Sequence, residues 1–413
     1  MVRLRQVSFA CAFATGLVLC TVAASEVAIR LAARVWRRAD CATRPCGSIV
    51  IDPTTLATRG DPGWPEHDAR GFRNARALTR SDVVTLGDSH TYGVHVQSDQ
   101  AWPAQLRRRL NVTTYNMAVP ATGPVQARDL LAQALHLHPH LVIFGFYFGN
   151  DLVDDFEAVR KRHRLSDFTR SDTVALIESA ERNLAIEAEI GTRSPFVGSV
   201  DGTDSMAASA TSSFRRLKEW LGDHSRLYGF LRSLRDRLAS GPKPAGTVVA
   251  RYEDAVAGLT DSQMPKVSAF SDGVWKTILT APYRLVTLDQ SDMRIHIGLT
   301  ITEREIATMH DSVVASGAKF LVVLLPTKEF VFQDRIHDAD ARPGFGELVQ
   351  AESEATRLLV AFFQANRIDF VDPSLALRTS AAQPYFEDVD GHPNAVGHAI
   401  IATAIADHLS AAR

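Results

Sequence analysis

The sequence predicts an α/β fold: a three-layer α/β/α sandwich around a five-stranded parallel sheet, with a largely helical insertion. Three observations carry that expectation. Short apolar runs of strand length alternate with segments of helical period. Two of the runs, Leu141–Phe148 and Lys319–Leu325, are apolar almost throughout, as strands buried on both faces are. The alternation stops between about 156 and 297 and then resumes, a gap too long for a simple loop in a compact domain.

Taken in order, the chain begins with Arg3 and Arg5 ahead of an apolar run from Val7 to Ala24. As a helix that run spans about 27 Å, enough for a hydrocarbon core. Residues 1–26 are therefore expected to form an uncleaved signal anchor. A cleaved signal peptide is the alternative, because Val22-Ala23-Ala24 offers small residues for cleavage. Arg30, Arg34, Arg37 and Arg38 follow the run and, by charge alone, would keep that flank cytoplasmic. Cys41 and Cys46 argue the other way if they close a small disulfide loop, which needs an oxidising compartment; they can also remain free thiols. Residues 27–80, rich in Pro, Gly, Asp and Arg toward their end, read as a linker and irregular lead-in.

The main α/β domain is expected over 81–155 and 298–413. Its strands are Asp82–Leu86, Thr113–Asn116, Leu141–Phe148, Lys319–Leu325 and Ile368–Val371. Helices are expected over Asp99–Leu110, Val125–Leu137, Leu348–Asn366 and Asn394–Ala411, with another opened by the capping-box pattern Thr302-Glu-Arg-Glu305. The insertion, 156–297, holds helical stretches at 174–190 and 214–238 and is the candidate substrate-selecting cap. In 413 residues with 46% hydrophobic and 22% charged side chains there is ample material for a core. A net charge of −2 speaks against a nucleic-acid partner.

Three segments carry chemistry. Gly87-Asp88-Ser89 follows the first sheet strand, where sites form in open parallel sheets. A serine hydroxyl there becomes a nucleophile once a base takes its proton. Asn150 ends the third strand, where its amide can donate to a developing oxyanion. His392, just before the last helix, is the base such a serine needs, and Asp390 can orient it. Each segment alone is also an ordinary turn or helix start; together, in this chain order, they are specific.

On these residues the chain resembles the SGNH/GDSL hydrolase superfamily. Gly-Asp-Ser at 87–89, Asn116 with the small-residue loop after it, Gly-Asn-Asp at 149–151 and Asp-Gly-His at 390–392 match its four blocks. The resemblance implies a flavodoxin-like α/β/α fold, no cofactor, Ser89 as nucleophile, His392 as base with Asp390 behind it, and an oxyanion hole from Ser89, Asn150 and a loop N–H at Ala121 or Gly123. Ala121 stands where the family's loop glycine aligns, and serves there provided it keeps a negative φ. Asp and His usually stand one residue further apart, but that position holds Val389, and Asp388 one step beyond it is the second candidate. The closer spacing is similar to that of SGNH-like enzymes that acetylate bacterial exopolysaccharides such as alginate. Those relatives also carry Pro-x-Lys segments like Pro326-Thr-Lys328, so Lys328 is a candidate for substrate binding, as is His90, the alternative for Lys328 being a salt bridge to Glu329.

No metal site is expected. His136, His138 and His140 alternate, but at a helix end around Pro139; Asp151, Asp154 and Asp155 read as a solvated turn. The expected function is ester hydrolysis on an O-acylated carbohydrate or other small ester. Alternatives are O-acetyl transfer to a polysaccharide with the same triad, or a non-catalytic carbohydrate-binding assembly protein. The resemblance favours a membrane-anchored protein with its catalytic domain extracytoplasmic, in the periplasm.

Overall fold

The structure, a computed structural model, describes residues 49–51, 58–170, 173–174, 250–259 and 263–411. The proposed anchor, Cys41, Cys46 and nearly all of the two anticipated insertion helices lie outside the described residues. Among the described residues no helix is long and apolar enough to cross a membrane. The chain divides into two compact units; the one made of 48–60, 66–198 and 246–413 carries every element named below.

A short antiparallel hairpin, β1 (Ile49–Ile51) with β2 (Thr58–Gly60), comes first. The central sheet follows: β3 (Val83–Gly87), β4 (Thr114–Asn116), β5 (Leu141–Tyr147), then β8 (Lys319–Leu325) and β9 (Asp369–Val371). Its five strands run in the order β4-β3-β5-β8-β9, all pairings parallel. Every residue of β3 and β5 is buried, which accounts for their unbroken apolar character: helices cover both faces. Burying one such Val, Ile or Phe contributes about 1.5–3 kcal/mol, so the central strands are the energetic spine of the domain.

The helices connecting the strands are α1 (Ser89–Tyr92), α2 (Trp102–Leu110), α3 (Pro124–Leu135) and α4 (Asp151–Lys161) in the first half. In the second half come α5 (Tyr252–Ala257), α6 (Ala281–Leu285), α7 (Met293–Ala315), α8 (Lys328–Phe332), α9 (Phe345–Asn366), α10 (Ser374–Arg378) and α11 (Ala395–Ala411). α2 packs on α11, while α3, α4 and α7 pack on one another. With right-handed crossovers, the rule for parallel strands, these two groups fall on opposite faces of the sheet.

Two sequence expectations change here. Thr302 does not open a helix: α7 starts nine residues earlier, at Met293, where the Asp292 carboxylate caps the Arg294 N–H. Thr302 is buried mid-helix, its hydroxyl donating to Asp155 Oδ2 at 2.7 Å. The described part of 156–297 is also not wholly helical: β6 (Ser268–Ser271) and β7 (Lys276–Leu279) form an antiparallel hairpin there. Part of the expected linker belongs to the core as well, since Phe72 packs edge-on against Tyr115, whose hydroxyl donates to Asp68 at 2.6 Å.

Candidate active site

The strand-to-helix turn after β3 is built by close approach. Gly87 of β3 pairs with Gly145 of β5, and the Thr91 side chain lies over both. A Cβ on Gly145 would stand 2.2 Å from Thr91 Oγ1, and one on Gly87 2.5 Å away. Only two glycines let α1 sit this low on the sheet. Asp88 caps α1 by accepting the His90 N–H at 2.9 Å. Asn116 ties the other end, donating from Nδ2 to Thr91 O at 3.0 Å. Ser89 is thereby fixed at the carboxyl end of the sheet.

His392 reaches it from the far end of the chain. His392 Nε2 lies 2.9 Å from Ser89 Oγ, and His392 Nδ1 lies 2.8 Å from Asp390 Oδ1. The His392 backbone N–H also donates to Asp390 Oδ1, at 2.7 Å. A carboxylate at Nδ1 fixes the tautomer that leaves Nε2 free to accept the serine proton. Burial raises the pKa of Asp390, but the adjoining His392 and His95 rings outweigh it and hold the carboxyl well below the usual range. Asp388, the other candidate, instead accepts the Asp390 N–H at 3.0 Å and supports the loop.

The oxyanion side is less uniform. Among the described residues the Ser89 and Ala121 N–H groups have no acceptor. Ala121 has φ 58°, so it does not keep the negative φ expected of it. The loop imposes a left-handed conformation that costs an alanine about 1–2 kcal/mol. Gly123 is not a donor in this arrangement, because its N–H is spent on Gln126 Oε1 at 3.1 Å while capping α3. Asn150 donates one amide hydrogen to Asp154 Oδ2 at 2.5 Å, which orients the amide and leaves its second hydrogen for an oxyanion.

The two proposed substrate-binding residues are structural. His90 is only 1% exposed: its ring stacks on Tyr147 at 3.5 Å and stands 4.6 Å from the His392 ring, with Nε2 at 3.2 Å from Gly391 O. It has no face left for a ligand. Lys328 is fully buried and donates to the carbonyls of Ile278, Asp388 and Asp390 at 2.9, 2.7 and 2.9 Å. All three ammonium hydrogens are used, so neither a substrate nor Glu329 binds it; Glu329 accepts from Thr280 N and Oγ1. Asp151 and Asp155 are buried rather than solvated, accepting from Tyr147 N and from Val125 N and Thr302 respectively. Burial holds both carboxyls well above the usual range.

Sequence reading missed His95 and Arg284. His95 Nε2 lies 3.0 Å from the second oxygen of Asp390. Arg284, on α6, donates to Gly149 O at 3.3 Å and stacks over the Tyr147 ring. A histidine six residues beyond the serine was visible as a candidate; nothing in the insertion's sequence marked Arg284. Among the described residues one group has the spacing of metal ligands, His95, Asp390 and His392, within 4.8 Å of one another, and the hydrogen bonds between them account for that spacing.

No protein-family model matches this sequence, and no curated protein does. Among solved structures, the fold is similar to that of a protein described as lipolytic and of the G-D-S-L family from Desulfitobacterium hafniense DCB-2, at 10% identity and TM-score 0.35, covering 79% of this chain and 98% of that one. A GDSL-like lipase from Bacteroides thetaiotaomicron VPI-5482 matches at 11% identity and TM-score 0.32, over 80% of this chain and 88% of the other. A carbohydrate esterase family 2 enzyme with a carbohydrate-binding domain from Corynascus thermopiles matches at 11% and 0.33, over 82% and 68%. Likeness this distant carries nothing about activity.

Proposed function

We propose that this chain is an ester hydrolase working through an acyl-Ser89 intermediate, on an O-acylated carbohydrate or other small ester. What supports the reading is one continuous hydrogen-bonded chain, Ser89 Oγ to His392 Nε2 at 2.9 Å and His392 Nδ1 to Asp390 Oδ1 at 2.8 Å. Ser89 Oγ attacks the ester carbonyl carbon while its proton passes to His392 Nε2, and Asp390 stabilises the imidazolium. The oxyanion is received by the N–H groups of Ser89 and Ala121 and the remaining amide hydrogen of Asn150. Collapse expels the alcohol, which takes the proton from His392. Water, deprotonated by His392, then attacks the acyl carbon and releases acid and free serine.

Purified protein is expected to turn over p-nitrophenyl acetate and Ser89→Ala is expected not to; equal rates for the two end the proposal. Supplying an oligosaccharide acceptor distinguishes hydrolysis from acyl transfer, since transfer would move the acetyl group onto the sugar rather than release acetate. Membrane attachment through residues 7–24 belongs to the same proposal and rests on the apolar run alone. Deleting residues 1–26 should move the protein from the membrane to the soluble fraction.

A further inference from the structure

Asp390 is shared. One oxygen takes His392 Nδ1 at 2.8 Å and the other takes His95 Nε2 at 3.0 Å. The two imidazoles stand edge to face across it, ring centroids 5.5 Å apart. His95 is held there against its backbone preference: its φ is 66°, in the left-handed region that non-glycine residues avoid. Such a conformation persists only where the surroundings enforce it. Here Arg73 does so, its guanidinium donating to the carbonyls of Tyr92, Gly93 and Val96 on both sides of His95. The Phe386 ring stands edge to face with the imidazole, centroids 6.1 Å apart.

We propose that His95 is a positioning residue of the catalytic carboxylate, so that the site runs Ser89–His392–Asp390–His95 and two imidazoles sharing one carboxylate set its response to pH. This deepens the hydrolase reading and rests on it. The groups facing His95 are Asp390, Asp388 and His392, with Arg73 beneath its loop. Burial lowers the pKa of His95, but the two carboxylates outweigh it and hold it above the ordinary histidine value. While His95 is charged, it neutralises part of Asp390 and opposes a second positive charge on His392. The serine proton still travels only to His392 Nε2; the His95 proton exchanges with solvent and is not consumed in turnover.

His95→Gln tests this, because glutamine can keep an N–H toward Asp390 and removes only the charge. The acid limb of the kcat/KM profile for p-nitrophenyl acetate should then move up by about half to one pH unit, as expected for two charges this close in a partly solvated site. A merely structural histidine would change the plateau and leave the limb in place; an unmoved limb overturns the proposal. A second readout needs no activity. In Ser89→Ala protein the His95 ring, followed by NMR, should titrate above the ordinary histidine range, and adding Asp390→Asn should lower that midpoint. A midpoint indifferent to Asp390→Asn overturns the coupling. A wild type inert toward esters, whose His95 midpoint still falls with Asp390→Asn, overturns the hydrolase reading while supporting the coupling.

Discussion

Lys328 Nζ donates to the backbone carbonyl of Asp390 at 2.9 Å, joining the first turn after β8 to the loop that carries Asp390 and His392. The same ammonium holds Ile278 of β7 and Asp388. A residue that read as a substrate contact instead ties β7 to the loop that holds Asp390 and His392.

Lys328→Met keeps most of the volume and removes all three donors. Buried carbonyls left without partners cost about 1–3 kcal/mol each before relaxation, so a loss of about 2–4 kcal/mol in urea unfolding is expected. Because the loop is released, kcat should fall at least about tenfold with KM changed much less. Unaltered kcat in a folded variant would show that the loop holds its geometry without Lys328.

Ala121 is the second place to intervene. Its φ of 58° is imposed by the loop. Glycine there escapes the left-handed penalty but adds freedom to the unfolded chain. The net expectation for Ala121→Gly is a gain of about 0.5–1 kcal/mol by denaturant titration, with kcat/KM preserved because the N–H remains.

Asn150→Ala deletes the amide that Asp154 orients. Losing one oxyanion donor should lower kcat by about 10²–10³-fold with little change in KM. A steady-state comparison with p-nitrophenyl acetate checks it, and a rate within threefold of wild type would remove Asn150 from the oxyanion hole.

Glu352 is fully buried and accepts from the Thr327 N–H and hydroxyl next to Lys328. Burial pushes its carboxyl up to about 8, against the partial opposition of the Thr327 hydrogen bonds. The folded state thus holds a proton that the unfolded state releases near the ordinary value of 4.5. Its contribution to stability is complete below pH 4.5, declines as pH rises, and is lost by about pH 8. Relative to Glu352→Gln, wild type should lose on the order of 3–5 kcal/mol across that window. Urea midpoints for both proteins at pH 5 and pH 8 measure the difference.

The sequence by itself determined the sheet. Apolar runs flanked by helical periods can bury themselves in few ways, and a parallel sheet of β3, β4, β5, β8 and β9 follows from that local pattern, while their order in space is set by the long-range pairings. It also determined which residues could act together, because Ser89, Asn150, Asp390 and His392 each sit at a strand end or a helix start. Tertiary structure alone decided what surrounds them. Whether Lys328 meets substrate or three carbonyls, whether His90 faces a ligand or a tyrosine, and whether Gly123 keeps its N–H free all depend on contacts between segments far apart in the chain. The same holds for His95, which is ordinary as a letter and meets Asp390 only because the chain beyond β9 brings that carboxylate to within 3.0 Å of it. Side-chain character and short-range period are written locally; the partner that satisfies a buried donor is chosen by the packing of the whole domain.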